Sequence, residues 1–324
     1  MRFIQSCLLA ILSLPLVQSL TYHGADYSSL VLLENAGQTF KDGGTTEKFD
    51  AILHNHGVNL ARIRIWTSTN NEDYSLTYGL ALAKRAVALG MELLIDLHYS
   101  DTWADPGHQA IPSSWPTTLN SLNTEIYTYT NSLVTAFANQ GTPIKFLQIG
   151  NEINSGILWP VAEISLHLAN GWDESAVASF YEQIFIAGEF AETDFDVMGF
   201  SFYPFYDADA TYAALLASLN NMVAKYDKNR TLLIVETDWP SSGSCPGVTL
   251  SESGISLTPA GQETWVNGIK TVLSEVSGGH GLGIVYWEPG WIGNDALGSG
   301  CSDNLVVDDS GNTLASIALF SADM

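Results

Sequence analysis

Two glutamates stand where an α/β chain does its chemistry. Glu152 follows the β-rich run Ile144–Gly150 through Asn151, and Glu236 ends the apolar run Leu232-Leu233-Ile234-Val235. A glutamate at the end of an apolar strand is held where burial tunes its acidity, not where water simply solvates it. Two carboxylates across one cleft are the minimum equipment for breaking a glycosidic bond. One protonates the leaving oxygen, and the other attacks the anomeric carbon or activates water. Unequal burial and mutual repulsion then separate their pKa values, so that one is protonated while the other is ionised.

The neighbouring residue types fit this chemistry. In Arg62-Ile63-Arg64-Ile65-Trp66, period-2 alternation puts Arg62, Arg64 and Trp66 on one face. A buried arginine needs an anion. We expect Arg64, nearer the strand end, to hold the ionised glutamate; for Arg62 a structural ion pair competes. Tyr203 is placed to orient the same carboxylate, and Asn151 to bond a sugar hydroxyl. The third strand ends Asp96-Leu97-His98-Tyr99-Ser100-Asp101-Thr102-Trp103, adding His98, Asp101 and Trp103 as candidates. Eight of the nine tryptophans fall at strand ends or in the loops beyond, Trp287 and Trp291 among them. Indole faces stack on sugar C–H faces while their N–H groups bond hydroxyls. About half of these rings are expected to be ordinary core.

Other chemistries are poorly supplied. The chain contains no H-E-x-x-H, G-x-S-x-G or Walker A motif. His54 and His56, two apart on a helix, face different directions and cannot share a metal. Gly279, Gly281 and Gly283 precede a strand instead of opening a helix, the wrong side for a dinucleotide. The turn Asp308-Asp309-Ser310-Gly311-Asn312 lacks the terminal Glu of a calcium loop. No metal or cofactor is expected.

The elements that must position these residues alternate. Strand candidates run at Leu20–Tyr27, Val58–Trp66, Glu92–Tyr99, Ile144–Gly150, Ile164–Leu168, Val197–Tyr203, Thr231–Thr237 and Leu282–Trp287. Helix-period stretches follow most of them: Glu47–His56, Tyr78–Leu89, Leu122–Asn139, Glu174–Glu192, Ala208–Tyr226, Pro259–Val276 and a short Thr313–Phe320. Repeated strand and helix means parallel pairing with crossovers, and eight units close into a (β/α)8 TIM barrel whose chemistry sits at the C-terminal strand ends. One interval breaks the pattern. Between Glu152 and Leu166 there is no room for loop, helix and loop, so the fourth helix is expected to be missing. Either the barrel tolerates a bare crossover, or the connection has been cut back in this chain.

The whole chain sets the setting. With 324 residues, 12 Lys+Arg against 35 Asp+Glu and a net charge of −23, it would repel a nucleic-acid backbone. Only 15% of residues are charged and 46% are hydrophobic, enough apolar surface for one large core. Arg2, the apolar run Cys7–Val17 and Val17-Gln18-Ser19 read as a signal peptide over 1–19, leaving 20–324 as one secreted, extracellular domain. The run is too short to span a membrane. Cys245 and Cys301 remain as an even pair in an oxidising compartment, and a disulfide is expected. Asn229-Arg230-Thr231 is the one glycosylation sequon.

At these residues the sequence resembles the arabinogalactan endo-β-1,4-galactanases of glycoside hydrolase family 53, especially the secreted fungal members. The resemblance is carried by Arg64-Ile65-Trp66, the run Asp96 to Pro106, Ile149-Gly150-Asn151-Glu152-Ile153, Leu158-Trp159-Pro160, Phe200 to Tyr206, Val235-Glu236-Thr237-Asp238-Trp239-Pro240 and Tyr286-Trp287-Glu288-Pro289. It spans nearly the whole chain; the run from Asp96 to Pro106 is the most specific. The resemblance implies a retaining endo-hydrolase of β-1,4-galactan in pectin, with Glu152 as acid/base and Glu236 as nucleophile. It further implies Asn151 on the sugar 2-hydroxyl, and Arg64, His98 and Tyr203 lining the attacked subsite. It supports the disulfide through Ser244-Cys245-Pro246 and Gly300-Cys301-Ser302. The chain departs from the family in its short connection after Leu158-Trp159-Pro160 and in Ala169, where relatives carry Asp. A hydrolase of another β-glycan and an inactive carbohydrate-binding paralogue are the alternatives. We expect a monomer.

Overall fold

The computed structural model describes residues 19–67, 73–159, 167–186, 194–226 and 231–321. The expected signal segment up to residue 18, the sequon residue Asn229 and residues 164–166 of the fifth strand candidate lie outside them. Among the described residues, ten strands follow along the chain. They are β1 (Tyr22–Asp26), the hairpin β2 (Phe40–Asp42) and β3 (Thr45–Glu47), β4 (Leu60–Ile65), β5 (Glu92–Leu97) and β6 (Phe146–Ile149). Then come β7 (His167–Leu168), β8 (Val197–Ser201), β9 (Thr231–Glu236) and β10 (Gly281–Trp287). The helices are α1 (Leu30–Asn35), α2 (Phe49–Asn55), α3 (Leu76–Ala88), α4 (Leu119–Gln140), α5 (Glu174–Ile186), α6 (Tyr212–Tyr226) and α7 (Pro259–Glu275). The ladder order β6-β5-β4-β1-β10-β9-β8-β7, parallel at every pairing, is a (β/α)8 TIM barrel.

Local chemistry sets the helix limits. Ser75 Oγ accepts the Tyr78 N–H ahead of α3, Thr258 Oγ1 accepts the Gly261 N–H ahead of α7, and Pro259 opens α7. Gly141, at φ 79°, ends α4 in the left-handed conformation that glycine adopts without strain. The hairpin and α1 are elements that sequence reasoning did not find. Strands of three residues and a helix of six are too short to show a period.

Inside the barrel the layers differ in kind. The N-terminal end is filled by Tyr22, Leu60, Leu94, Leu233, Val235 and Val285. Burying each such aliphatic side chain stabilises by roughly 1.5–3 kcal/mol. Above them the same inward faces carry Arg62, in register with Leu94, and then Arg64, Asp96 and Gln148, in register with one another. The apolar floor thus supports a polar layer directly beneath the open mouth.

The ring closes differently between β6 and β7. No ladder joins them among the described residues; instead the Ile153 N–H donates to the His167 carbonyl at 3.1 Å, and Gln148 Nε2 to His167 Nδ1 at 3.0 Å. Residues 150–159 form no helix. The remainder of that crossover, 160–166, lies outside the described residues. On β5 the outward-facing Leu93, Ile95 and Leu97 are fully buried, whereas Leu147 and Ile149 on β6 are only half-buried.

Candidate active site

The C-terminal mouth opens into a cleft of about 540 Å³, and both Glu152 and Glu236 line it. Each reaches it through a local departure from regular strand. Leu233 and Val235 point into the barrel, so strict alternation would turn Glu236 outward. A bulge in the β8–β9 ladder, with Phe200 opposite Ile234 but Ser201 opposite Glu236, inserts one residue and turns the carboxylate inward. Beyond β6, Gly150 at φ 80° and Glu152 at φ 46° both adopt left-handed backbone. A glutamate rarely does so, and such strain persists where surrounding contacts over-determine it.

The two carboxylates sit in different electrostatic settings. Glu236 Oε1 is 2.7 Å from an Arg62 Nη, and its Oε2 accepts the Tyr203 hydroxyl at 3.0 Å. Its pKa is raised, by burial first and also by the charges of Asp96 and Asp26, against the opposing pull of Arg62 and Tyr203. Glu152 accepts a 2.6 Å bond from Ser201 Oγ. Burial first, and the charge of Glu236 second, push its pKa up to about 8. Burial and the neighbouring Glu236 thus favour the protonated form of Glu152, while Arg62 and Tyr203 favour the ionised form of Glu236.

Beneath them lies an ionic network centred on Arg62, which is about 1% exposed. Its guanidinium meets Asp26 at 2.8 Å, Asp96 at 2.9 Å, Glu236 at 2.7 Å and the Asn151 side-chain Oδ1 at 2.8 Å. This corrects the sequence expectation that Arg64 would hold the ionised glutamate. Arg64 binds Glu288 at 2.5 Å and Asp26 at 3.4 Å instead. Its plane lies over Tyr74 at 4.3 Å and Trp103 at 4.5 Å. Arg62 starts one step lower in the barrel, and its length carries the charge up to the carboxylate.

The remaining candidates divide. Arg64, His98, Trp103, Asn151, Tyr203, Trp287 and Trp291 all line the cleft. His98 Nδ1 accepts the Ala104 N–H at 3.1 Å, so its Nε2 carries the proton facing Asp96 at 3.0 Å. Trp103 stacks on Trp291 at 5.9 Å and meets Trp287 edge-on at 6.3 Å, which makes one aromatic wall. Asp101 does not join them: it binds Thr67 Oγ1 and the backbone and hydroxyl of Ser113, a tie between loops. Its own short polar neighbours captured it. Among the other tryptophans, Trp239 and Trp265 stack fully buried behind the barrel, and Trp115 packs on Tyr99 and Tyr129. The cysteine pair is bonded, Cys245 to Cys301, with Cys301 packed beside Tyr203 and Phe205.

The sequence profile described as glycosyl hydrolase family 53 matches residues 22–163 and 160–320. The chain belongs to glycosyl hydrolase family 53. The two matched stretches meet at the shortened crossover. Among its relatives, the arabinogalactan endo-β-1,4-galactanase A of Aspergillus niger is 41% identical, over 95% of this chain and 97% of that protein. The arabinogalactan endo-β-1,4-galactanase of Thermothelomyces thermophilus is 38% identical over 93% and 99%. A solved fungal β-1,4-galactanase superposes with a TM-score of 0.88 at 38% identity, covering 93% of this chain and 99% of that one. The family 53 catalytic domain of Ignisphaera aggregans gives 0.81 at 25% identity over 96% and 97%.

Sequence reasoning missed Tyr206, which lines this family 53 cleft, and Asp26, Glu288 and Ser201, which bind the residues that line it. Asp26 and Glu288 end or follow strands as the two catalytic candidates do, and the need of two buried arginines for anions was the available signal. Asp238, beyond the nucleophile candidate, is fully buried, and among the described residues neither carboxylate oxygen has a hydrogen-bond partner. Burial, then the charge of Glu236, pushes its pKa well above the usual value. A carboxyl whose folded pKa is raised gives full stability below its unfolded pKa of about 3.9, and that stability is lost as pH rises. Asp238→Asn is therefore expected to stabilise the protein by about 1–3 kcal/mol near neutral pH, with no gain near about pH 3. Thermal melts at both pH values test this; an unchanged or lower Tm near neutrality rejects it.

Proposed function

We propose that this chain is a secreted, monomeric, endo-acting retaining glycoside hydrolase that cleaves β-1,4-galactosidic bonds in galactan. The observation that carries the reading is a single cleft lined by two carboxyl groups with different partners, Glu236 bound to Arg62 and Tyr203 and Glu152 bound to Ser201. Glu236, held anionic by Arg62 and Tyr203, attacks the anomeric carbon. Glu152 donates its proton to the departing oxygen, then removes a proton from the water that hydrolyses the glycosyl-enzyme. The wall of Trp103, Trp287 and Trp291 offers C–H stacking to the sugar ring, and Asn151 retains one of its two amide hydrogens for a hydroxyl. The relatives' activity on arabinogalactan supplies the choice of polymer.

The test is a reducing-sugar assay on β-1,4-galactan, β-mannan, β-xylan and β-glucan, with product sizes followed over time. Galactan is expected to yield short oligomers early, the mark of internal cleavage. Because the acid must be protonated in the first step, kcat/KM is expected to fall as pH rises through about 8. Equal rates on mannan, or binding of galactan without hydrolysis, would overturn the assignment.

A further inference from the structure

Beneath Glu152 a chain of hydrogen bonds runs through two residues that the mechanism above does not use. Ser201 Oγ, at the end of β8, donates to Glu152 Oε1 at 2.6 Å. A serine hydroxyl has one proton. With that proton directed at the carboxylate, the contact between His167 Nε2 and Ser201 Oγ at 2.9 Å is donated by the imidazole. Nδ1 is then the acceptor, and Gln148 Nε2 donates to it at 3.0 Å. His167 is fully buried, and burial, with Arg62 next, holds its pKa well below the usual value, in keeping with this neutral tautomer. The His167 carbonyl accepts the Ile153 N–H at 3.1 Å, so one residue grips the strained Glu152 turn by backbone and by side chain.

Resting on the reading of Glu152 as acid/base, we propose that Ser201 and His167 are its positioning residues: they bind Oε1 and thereby place the transferable proton on Oε2. Oε1 accepts from Ser201 in both protonation states. In the first step Oε2–H gives its proton to the glycosidic oxygen as the C–O bond breaks and the electron pair leaves with that oxygen. In the second, Oε2 takes a proton from water. Ser201 and His167 keep their own protons throughout. Because β7 consists, among the described residues, of His167 and Leu168, the same histidine closes the barrel seam and aligns the acid.

The experiment compares kcat/KM against pH for wild type, Ser201→Ala, Ser201→Thr, His167→Phe, His167→Gln and Glu152→Ala. Two substrates are used, galactan and a 2,4-dinitrophenyl β-galactobioside whose leaving group needs no proton. Ser201→Ala removes a hydrogen bond that favours the ionised carboxyl, so its basic limb is expected to move up by about one pH unit. Its rate on galactan is expected to fall about 10–100-fold, and on the aryl substrate less than about threefold. His167→Phe should behave likewise. Ser201→Thr and His167→Gln each keep a donor and should restore the limb. If Ser201→Ala does not fold, the two His167 variants decide by the same readout. An unmoved basic limb, or equal losses on both substrates, overturns the proposal. Wild-type galactan cleavage by Glu152→Ala would instead overturn the acid/base reading itself.

Discussion

Glu236→Gln is expected to lower kcat on galactan by on the order of 10⁵-fold while leaving the fold intact. The amide retains an oxygen for Arg62 and a group facing Tyr203, so the geometry of the cleft survives. On the proposed mechanism, what disappears is the anion that forms the bond to the anomeric carbon, together with the charge that raises the pKa of Glu152. The measurement is single-turnover hydrolysis alongside a thermal melt. A variant that releases oligosaccharides within tenfold of the wild-type rate, with an unchanged melt, would show that another group is the nucleophile. Loss of this carboxylate is also expected to shift the titration of Glu152 downward, visible as a carboxyl resonance moving by NMR.

Arg62→Met is expected to have the largest effect on stability. Asp26, Asp96 and Glu236 all bind this one guanidinium at 2.7–2.9 Å, and all lie in the barrel interior. Methionine preserves much of the volume but leaves three buried carboxyl groups without their common cation. Breaking a buried pair from one side costs about 3–5 kcal/mol, which for a chain of this size lowers Tm on the order of 10 °C. The sign with pH follows from Asp96. Asp96 is held below its ordinary pKa because Arg62 and His98 outweigh its burial, so this stabilisation is present above the unfolded pKa and lost as pH falls. The deficit of Arg62→Met should therefore be large at neutral pH and shrink in acid. A melt within about 2 °C of wild type at neutral pH would remove Arg62 from the centre of the network. Arg62→Lys should recover only part of the loss, since a single ammonium cannot match the planar fork.

How much of the site was legible follows from which quantities are local. Glu152 and Glu236 stand out because a charged residue ending an apolar strand is a contradiction that only a site resolves. The strand rhythm fixed the barrel class, and even the short interval after Glu152 was visible as a shortage of residues. The roles of the two arginines were not legible. Alternation states that Arg62 and Arg64 share a face, but which one reaches Glu236 depends on height in the barrel and on side-chain length across it. The tryptophans were legible as a group and not as individuals. Trp239 and Trp103 follow strand ends alike, yet one stacks on Trp265 in the core and the other faces the cleft.

By itself the sequence determined an eight-unit α/β barrel, two catalytic candidates at its mouth, an aromatic cleft and one cysteine pair, because periodicity and strand ends are properties of neighbouring residues. The tertiary structure decided what those side chains face. It placed the β8–β9 bulge that turns Glu236 inward, gave Arg62 rather than Arg64 to that carboxylate, drew Asp101 away into a loop tie, and set His167 and Ser201 under Glu152. Each of these depends on distances between strands far apart in the chain. Hydrogen bonds and ion pairs act over a few ångströms in space, and spacing along the sequence does not encode which groups closure of the ring brings within that range.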